Sequence, residues 1–161
     1  MTVGVEVVTP GDEAVRAEVS PLWTEYWEIS RLEVVDLIGF DIGTPDEVAH
    51  ENEDPAAHCR AVLLARVDGD AVGSAGLAHV DDQSCELKRL YVRPHARRHG
   101  VAAALVAAAA DEAPRLGYHR ILADTLVSRT GALEMFRRAG FVEIEPWREN
   151  ALPMVYQALD L

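Results

Sequence analysis

The residues most able to do chemistry lie close together. Glu86-Leu87-Lys88-Arg89-Leu90-Tyr91-Val92-Arg93-Pro94 is followed within a few residues by Arg97-Arg98-His99-Gly100-Val101-Ala102. The first stretch reads as a strand, and the second as a short basic loop entering a helix. Free N–H groups at a helix start point outward and carry the positive end of the helix dipole. Such a start suits phosphate or pyrophosphate. Gly100 and Ala102 are small, so a diphosphate could come close to the backbone. Arg97 and Arg98 would add charge-assisted contacts. A basic turn ahead of a buried alanine-rich helix is the alternative reading of the same residues.

Charge is divided unevenly along the 161 residues, whose formal net charge is −12. Residues 1–59 hold 14 acids and two bases, Arg16 and Arg31, so the whole excess lies in the first third. Lys88, Arg89, Arg93, Arg97 and Arg98 form a basic cluster suited to a small polyanion. A broad basic face is missing, which argues against nucleic acid as partner. The acidic third would attract a cationic partner, or would simply keep the surface solvated.

Other residues invite a functional reading beside a plain one. Trp23 and Trp27 stand at i and i+4, with Tyr26 beside them. They could form an aromatic wall for a cationic acceptor or pack a helix on a sheet. Trp147, in Pro146-Trp147-Arg148-Glu149-Asn150, sits in a loop that could flank the same pocket. The histidines show no metal-ligand spacing, and Cys59 and Cys85 form no CxxC pair, so no metal is expected. Two cysteines are no disulfide framework and suit a reduced, cytoplasmic setting. The longest apolar run, Val101 to Ala110, is half of what a bilayer requires, so no membrane partner is expected. Fourteen arginines, one lysine and abundant alanine suit a bacterial genome rich in G and C.

The elements that must position these residues follow from periodicity and punctuation. Strands are expected at Val3–Val8, Ala61–Val67, Ala71–Val80, Glu86–Val92, Arg120–Leu126, Phe141–Glu145 and Met154–Leu159. Pro10-Gly11-Asp12 punctuates the first, and Asp68-Gly69-Asp70 turns a hairpin. Helices are expected from Asp12 towards Ser20, over Leu22–Val35, from Thr44 to Asp54, from Gly100 to about Leu116, and over Arg129–Ala139. Thr44 would cap the third of these, with Pro45 in its first turn. Pro114 would disturb the last turn before Gly117. The order predicts one domain of mixed α/β layers and lacks GxGxxG and phosphate-loop motifs.

Arg97-x-x-Gly100-x-Ala102 matches the [QR]xxGx[GA] motif of the GNAT superfamily of acyl-CoA N-acyltransferases. Leu116-Gly117-Tyr118, Leu122-Ala123-Asp124-Thr125, and Ala132 and Phe136 with Gly140-Phe141 resemble the segments that follow it in that superfamily. The likeness covers residues 61–161 firmly, and the tail resembles a bacterial small-molecule branch. It implies a central mixed, splayed β-sheet flanked by helices, with acetyl-CoA as co-substrate. The amides of Arg97, Arg98, His99, Gly100, Val101 and Ala102 would hold the pyrophosphate. Leu90, Tyr91 and Val92 would pair with the pantetheine arm as an added strand. A bulge in that strand would end strict alternation beyond Arg89. Ser128 and Thr130 would meet the far end of the cofactor. Glu86 is the implied base, with Asp124 in reserve and pairing of Glu86 with Lys88 or an arginine as the structural alternative. The position of the usual tyrosine acid holds Phe136, which lines the cofactor but gives no proton. The expected activity is direct acetyl transfer to a primary amine, most simply a cationic small molecule. A lysine side chain of a protein and an acyl-CoA sensor without turnover are the alternatives. Members of the superfamily often pair as homodimers, and the sequence leaves that open.

Overall fold

The computed structural model describes residues 1–9 and 11–161; Pro10, read above as punctuation, lies outside them. Seven strands form one sheet in the order β1-β2-β3-β4-β5-β7-β6. They are β1 (Val3–Val8), β2 (Ala61–Val67), β3 (Asp70–His79), β4 (Ser84–Val92), β5 (Arg120–Leu126), β6 (Val142–Glu143) and β7 (Met154–Asp160). Neighbours are antiparallel except β4 and β5, which run parallel. Helices are α1 (Ser20–Ile38), α2 (Asp46–Glu53), α3 (Pro55–His58), α4 (Val101–Arg115) and α5 (Thr130–Arg138). A π-helical turn at Val15–Val19 leads straight into α1.

The two faces of the sheet bury different residues. On one, Val62, Leu64, Ala78 and Tyr91 meet Val19, Leu22 and Trp23 of the first helical segment. On the other, Leu63, Ala75, Leu77 and Leu87 meet Leu105, Val106 and Ala109 of α4 and Phe136 of α5. Gly76 allows the close approach on the first face, because a Cβ there would stand 2.6 Å from the Cys59 sulfur and 3.0 Å from the Trp23 ring.

Expected and observed elements differ in instructive places. Pro45 is the residue before α2, and the Thr44 hydroxyl does not cap the helix; it accepts a hydrogen bond from Trp27 Nε1 at 3.0 Å. β6 keeps only two residues, since beyond Glu143 the chain makes one more bond to β7, from the Ile144 N–H to the Tyr156 carbonyl. Pro114 stays inside α4, and the Leu116 N–H is shared between the Glu112 and Ala113 carbonyls, a tightened final turn.

The acidic first third is tied to arginines of the neutral remainder by ion pairs. Arg66 holds Glu6 and Glu18, Arg93 holds Glu25, and Arg129 holds Glu33. Arg129 also donates to Ser30 Oγ at 2.8 Å and to the Tyr26 hydroxyl at 3.1 Å. Part of the acidity is therefore answered within the fold.

Candidate active site

The site begins where the sheet opens. β4 and β5 pair only at Ser84–Arg120, Cys85–Ile121 and Glu86–Leu122, and then separate. The other edge of β4 stays paired with β3, but with a bulge: Gly76 faces Lys88 while Ser74 faces Tyr91. The extra residue is accommodated by Arg89, whose φ of +54° is left-handed. The β4 edge from Leu87 to Val92 is therefore free on the β5 side, as an extended ligand arm requires. Leu90 is half-buried, and Tyr91 and Val92 are buried. The Tyr91 ring meets Tyr26 edge-on at 6.3 Å. Burial and the Glu25 carboxylate push its phenol up, so it stays protonated.

The bulge also explains the basic cluster. Strict alternation would separate Lys88 from Arg89, yet both reach Glu51 of α2, at 3.2 and 2.8 Å. Arg93 is held by Glu25 and by the Ala71 carbonyl. Only Arg97 and Arg98 of the cluster remain for an outside anion. The Arg97 Nε donates to the Val92 carbonyl at 2.8 Å, and its guanidinium lies over Tyr91. Arg97, Arg98, His99 and Gly100 are exposed, Val101 is buried and Ala102 is half-buried. Arg98 and Gly100 both take left-handed φ, +64° and +77°. A Cβ added at Gly100 would meet no protein atom within 4 Å, so the space above it is open. The first bond of α4 runs from the Ala104 N–H to the Gly100 carbonyl. The N–H groups of Val101, Ala102 and Ala103 thus precede the helical ladder and suit a diphosphate.

Ser128 and Thr130 are exposed at the start of α5. Phe136 turns the other way: it is buried in the core against Phe141, ring centroids 5.0 Å apart. It therefore packs the layer under the cleft and carries no proton to it.

Two carboxylates stand at the opening, and one arginine holds both. Arg148 donates to Glu86 Oε1 at 3.2 Å and Oε2 at 2.6 Å. It also donates to Asp124 Oδ2 from Nε at 3.1 Å and from Nη2 at 2.9 Å. The Glu86 side chain is 10% exposed and that of Asp124 16%, whereas Arg148 is 41% exposed. Burial works against the Arg148 charge, but Glu86 and Asp124 outweigh it and raise its pKa. Sequence reasoning saw an arginine partner for Glu86 only in general terms. Arg148 lies in the quoted loop, 62 positions away, and no local signal marks it.

The aromatic residues divide. Trp23 is fully buried under Gly76 with Arg89 5.0 Å over its ring, so it is core and not an open acceptor wall. Trp27 is half-buried and fastens the loop at Thr44. Trp147 is half-buried beside the opening, edge-on to Tyr156 at 5.1 Å and under the Arg148 guanidinium at 5.2 Å. Cys85, next to Glu86, is fully buried, and burial pushes its thiol up to about 12, which excludes a thiolate nucleophile near neutral pH.

This cleft is the one expected of an acyl-CoA-dependent transferase, and comparison with known proteins agrees. Residues 15–141 match the Acetyltransferase (GNAT) family. An uncharacterized N-acetyltransferase of Schizosaccharomyces pombe is 27% identical over 161 aligned residues, 96% of this chain and 99% of that protein. An acetyltransferase structure from Streptococcus agalactiae superposes with a TM-score of 0.72 at 15% identity, covering 98% of this chain and 99% of that one. A GNAT family acetyltransferase from Elizabethkingia anophelis with acetyl-CoA bound gives 0.60 at 16% identity, covering 99% and 98%. The chain belongs to the GNAT family of N-acetyltransferases.

Proposed function

We propose that the chain moves an acetyl group from acetyl-CoA to the primary amine of a small molecule, by direct transfer in a ternary complex. One observation carries this reading. The β4–β5 ladder ends at Glu86, so a shielded carboxylate stands at the start of the free β4 edge along which the pantetheine arm would run.

The chemistry requires a neutral amine. A lysine-like amine of pKa ~10.4 loses its proton at pH 7 at a cost of about 4.6 kcal/mol. Glu86 takes that proton, directly or through water, with Asp124 sharing the charge. The nitrogen attacks the thioester carbonyl carbon, a C–N bond forms, and the C–S bond breaks as the tetrahedral intermediate collapses. The remaining extra proton on nitrogen is shed, and the coenzyme leaves as a thiolate that takes a proton from solvent. With Phe136 in the core no tyrosine assists that departure. A thiol of pKa ~8.5 leaves tolerably without one. The amides of Arg97 to Ala102 hold the pyrophosphate, Leu90 to Val92 pair with the arm, and Ser128 and Thr130 meet its far end. Trp27 and Trp147 border the acceptor.

The test is acetyl-CoA-dependent thiol release across amines, amino acids, polyamines and lysine peptides, with calorimetry of acetyl-CoA on the same sample. Amine-dependent release supports the reading. Tight binding without release from any amine replaces it with a sensor role, and absence of binding overturns the assignment of the Arg97–Ala102 loop.

A further inference from the structure

We infer that Arg148 selects acceptors bearing a carboxylate beside the amine, so that the substrate class is an amino acid and not a simple amine or polyamine. The inference rests on the transferase reading above and names its acceptor.

Arg148 occupies both carboxylates that an acceptor ammonium would approach, with four donor contacts between 2.6 and 3.2 Å. Each Glu86 oxygen already accepts from Arg148, so an ammonium gains the whole carboxylate only when the guanidinium moves. A planar guanidinium fork fits carboxylates better than a single ammonium does, and Arg148 is tethered at high effective concentration. A simple amine therefore competes poorly and leaves the displaced cation without a partner. An amino acid solves both problems. Its ammonium replaces the guanidinium on Glu86 and Asp124, and its carboxylate gives Arg148 a new bidentate partner.

The surroundings permit this exchange. Arg148 lies between β6 and β7 in a segment without regular structure, and its side chain is 41% exposed. Its backbone is steadied by the Tyr156 hydroxyl, which donates to the Arg148 carbonyl at 3.3 Å, so the side chain is the moving part. Trp147 lies alongside as a resting surface for the freed cation. Positive charge is already in excess two and three residues along β4 from Glu86. Lys88 and Arg89 share the single carboxylate of Glu51, and Arg89 Nη1 is buried with no hydrogen-bond partner.

The test compares matched pairs, L-lysine with cadaverine and L-phenylalanine with phenethylamine, in thiol release and in calorimetric binding to the full chain with coenzyme A present. The wild type should favour each amino acid at least tenfold in kcat/KM. Arg148→Ala should lower the amino-acid value ten- to a hundredfold, chiefly through KM, and raise that of the amine. Arg148→Lys should restore part of the preference. Equal use of both members by the wild type, or an equal fall for both in Arg148→Ala, overturns the inference. Binding separates the two readings. Amino-acid binding that Arg148→Ala abolishes, without thiol release from any amine, sinks the transferase reading and leaves Arg148 as the anchor of a bound amino acid, not the selector of an acceptor. Amino-acid binding indifferent to Arg148, with turnover intact, does the reverse.

Discussion

In the proposed reaction Glu86 and Gly100 answer the two demands of the chemistry, a proton acceptor and an open backbone. Glu86→Gln keeps the shape but removes the base, together with one of the two oxygens that accept from Arg148. Its kcat/KM for an amine should fall about 10²–10⁴-fold. The loss should be greatest below the amine's pKa, where the proton must be taken, and a pH–rate profile of both proteins checks this. A uniform loss at every pH would make Glu86 a structural partner of Arg148. Gly100→Ala probes the loop. The left-handed φ of +77° costs a Cβ-bearing residue about 1–2 kcal/mol. The added Cβ meets no protein atom and adds bulk to the loop that the proposed function assigns to the diphosphate. Acetyl-CoA affinity should fall at least tenfold by calorimetry, more than the loss in stability accounts for, whereas unchanged affinity would remove the diphosphate from this loop. The form of this loop was legible in the sequence because it is local: a glycine before a helix, with two arginines beside it, speaks through the backbone. Arg148 was not, because its meaning lies in two carboxylates on distant strands.

At the scale of elements, the bulge in β4 sets what its neighbouring basic residues reach. It turns consecutive Lys88 and Arg89 towards Glu51, and it leaves Arg89 only 7% exposed with that one carboxylate as partner. Burial alone would raise the Glu51 carboxyl, but the hydrogen bond from Arg89 and the charge of Lys88 bring it below its ordinary value. Glu51→Gln should therefore strand a buried guanidinium. A loss of about 3 kcal/mol is expected for a broken buried pair. That corresponds to a melting point lower by about 10 °C for a chain of this size. A shift within a degree or two would show that water replaces Glu51 freely. The strands themselves were legible, and the ends of β5 fall at Arg120 and Leu126 as read. The bulge had no signature of its own, because an arginine and not a glycine takes the positive φ. The fate of Trp23 was equally hidden. A helical stripe of tryptophans shows that one face is apolar, but only Gly76, across the sheet, decides that Trp23 lies flat in the core.

For the whole molecule, the division of charge becomes a dependence of stability on pH. The acidic first third is fastened to the sheet by carboxylates whose pKa values the fold lowers. The hydrogen bond from Arg66 lowers Glu18, and that from Arg93 lowers Glu25. Arg89 and Lys88 do the same for Glu51 against its burial. In each case the folded value lies below the unfolded one, which is about 4.3 for glutamate. A group depressed in the fold stabilises it fully above the unfolded pKa and ceases to do so as pH falls through the folded one. Stability should thus be flat from pH 7 to about 5 and decline below about 4.3, as protons enter the unfolded chain first. Trp23, fully buried between α1 and the sheet, reports the event: its emission should shift to the red as the first third detaches. The combined Glu18→Gln, Glu25→Gln and Glu51→Gln variant should start less stable at pH 7 and show a shallower acid limb, because fewer carboxylates have a depressed pKa to lose. An acid limb as steep as that of the wild type would place the pH sensitivity elsewhere and would mean that these pairs orient the first third without holding it.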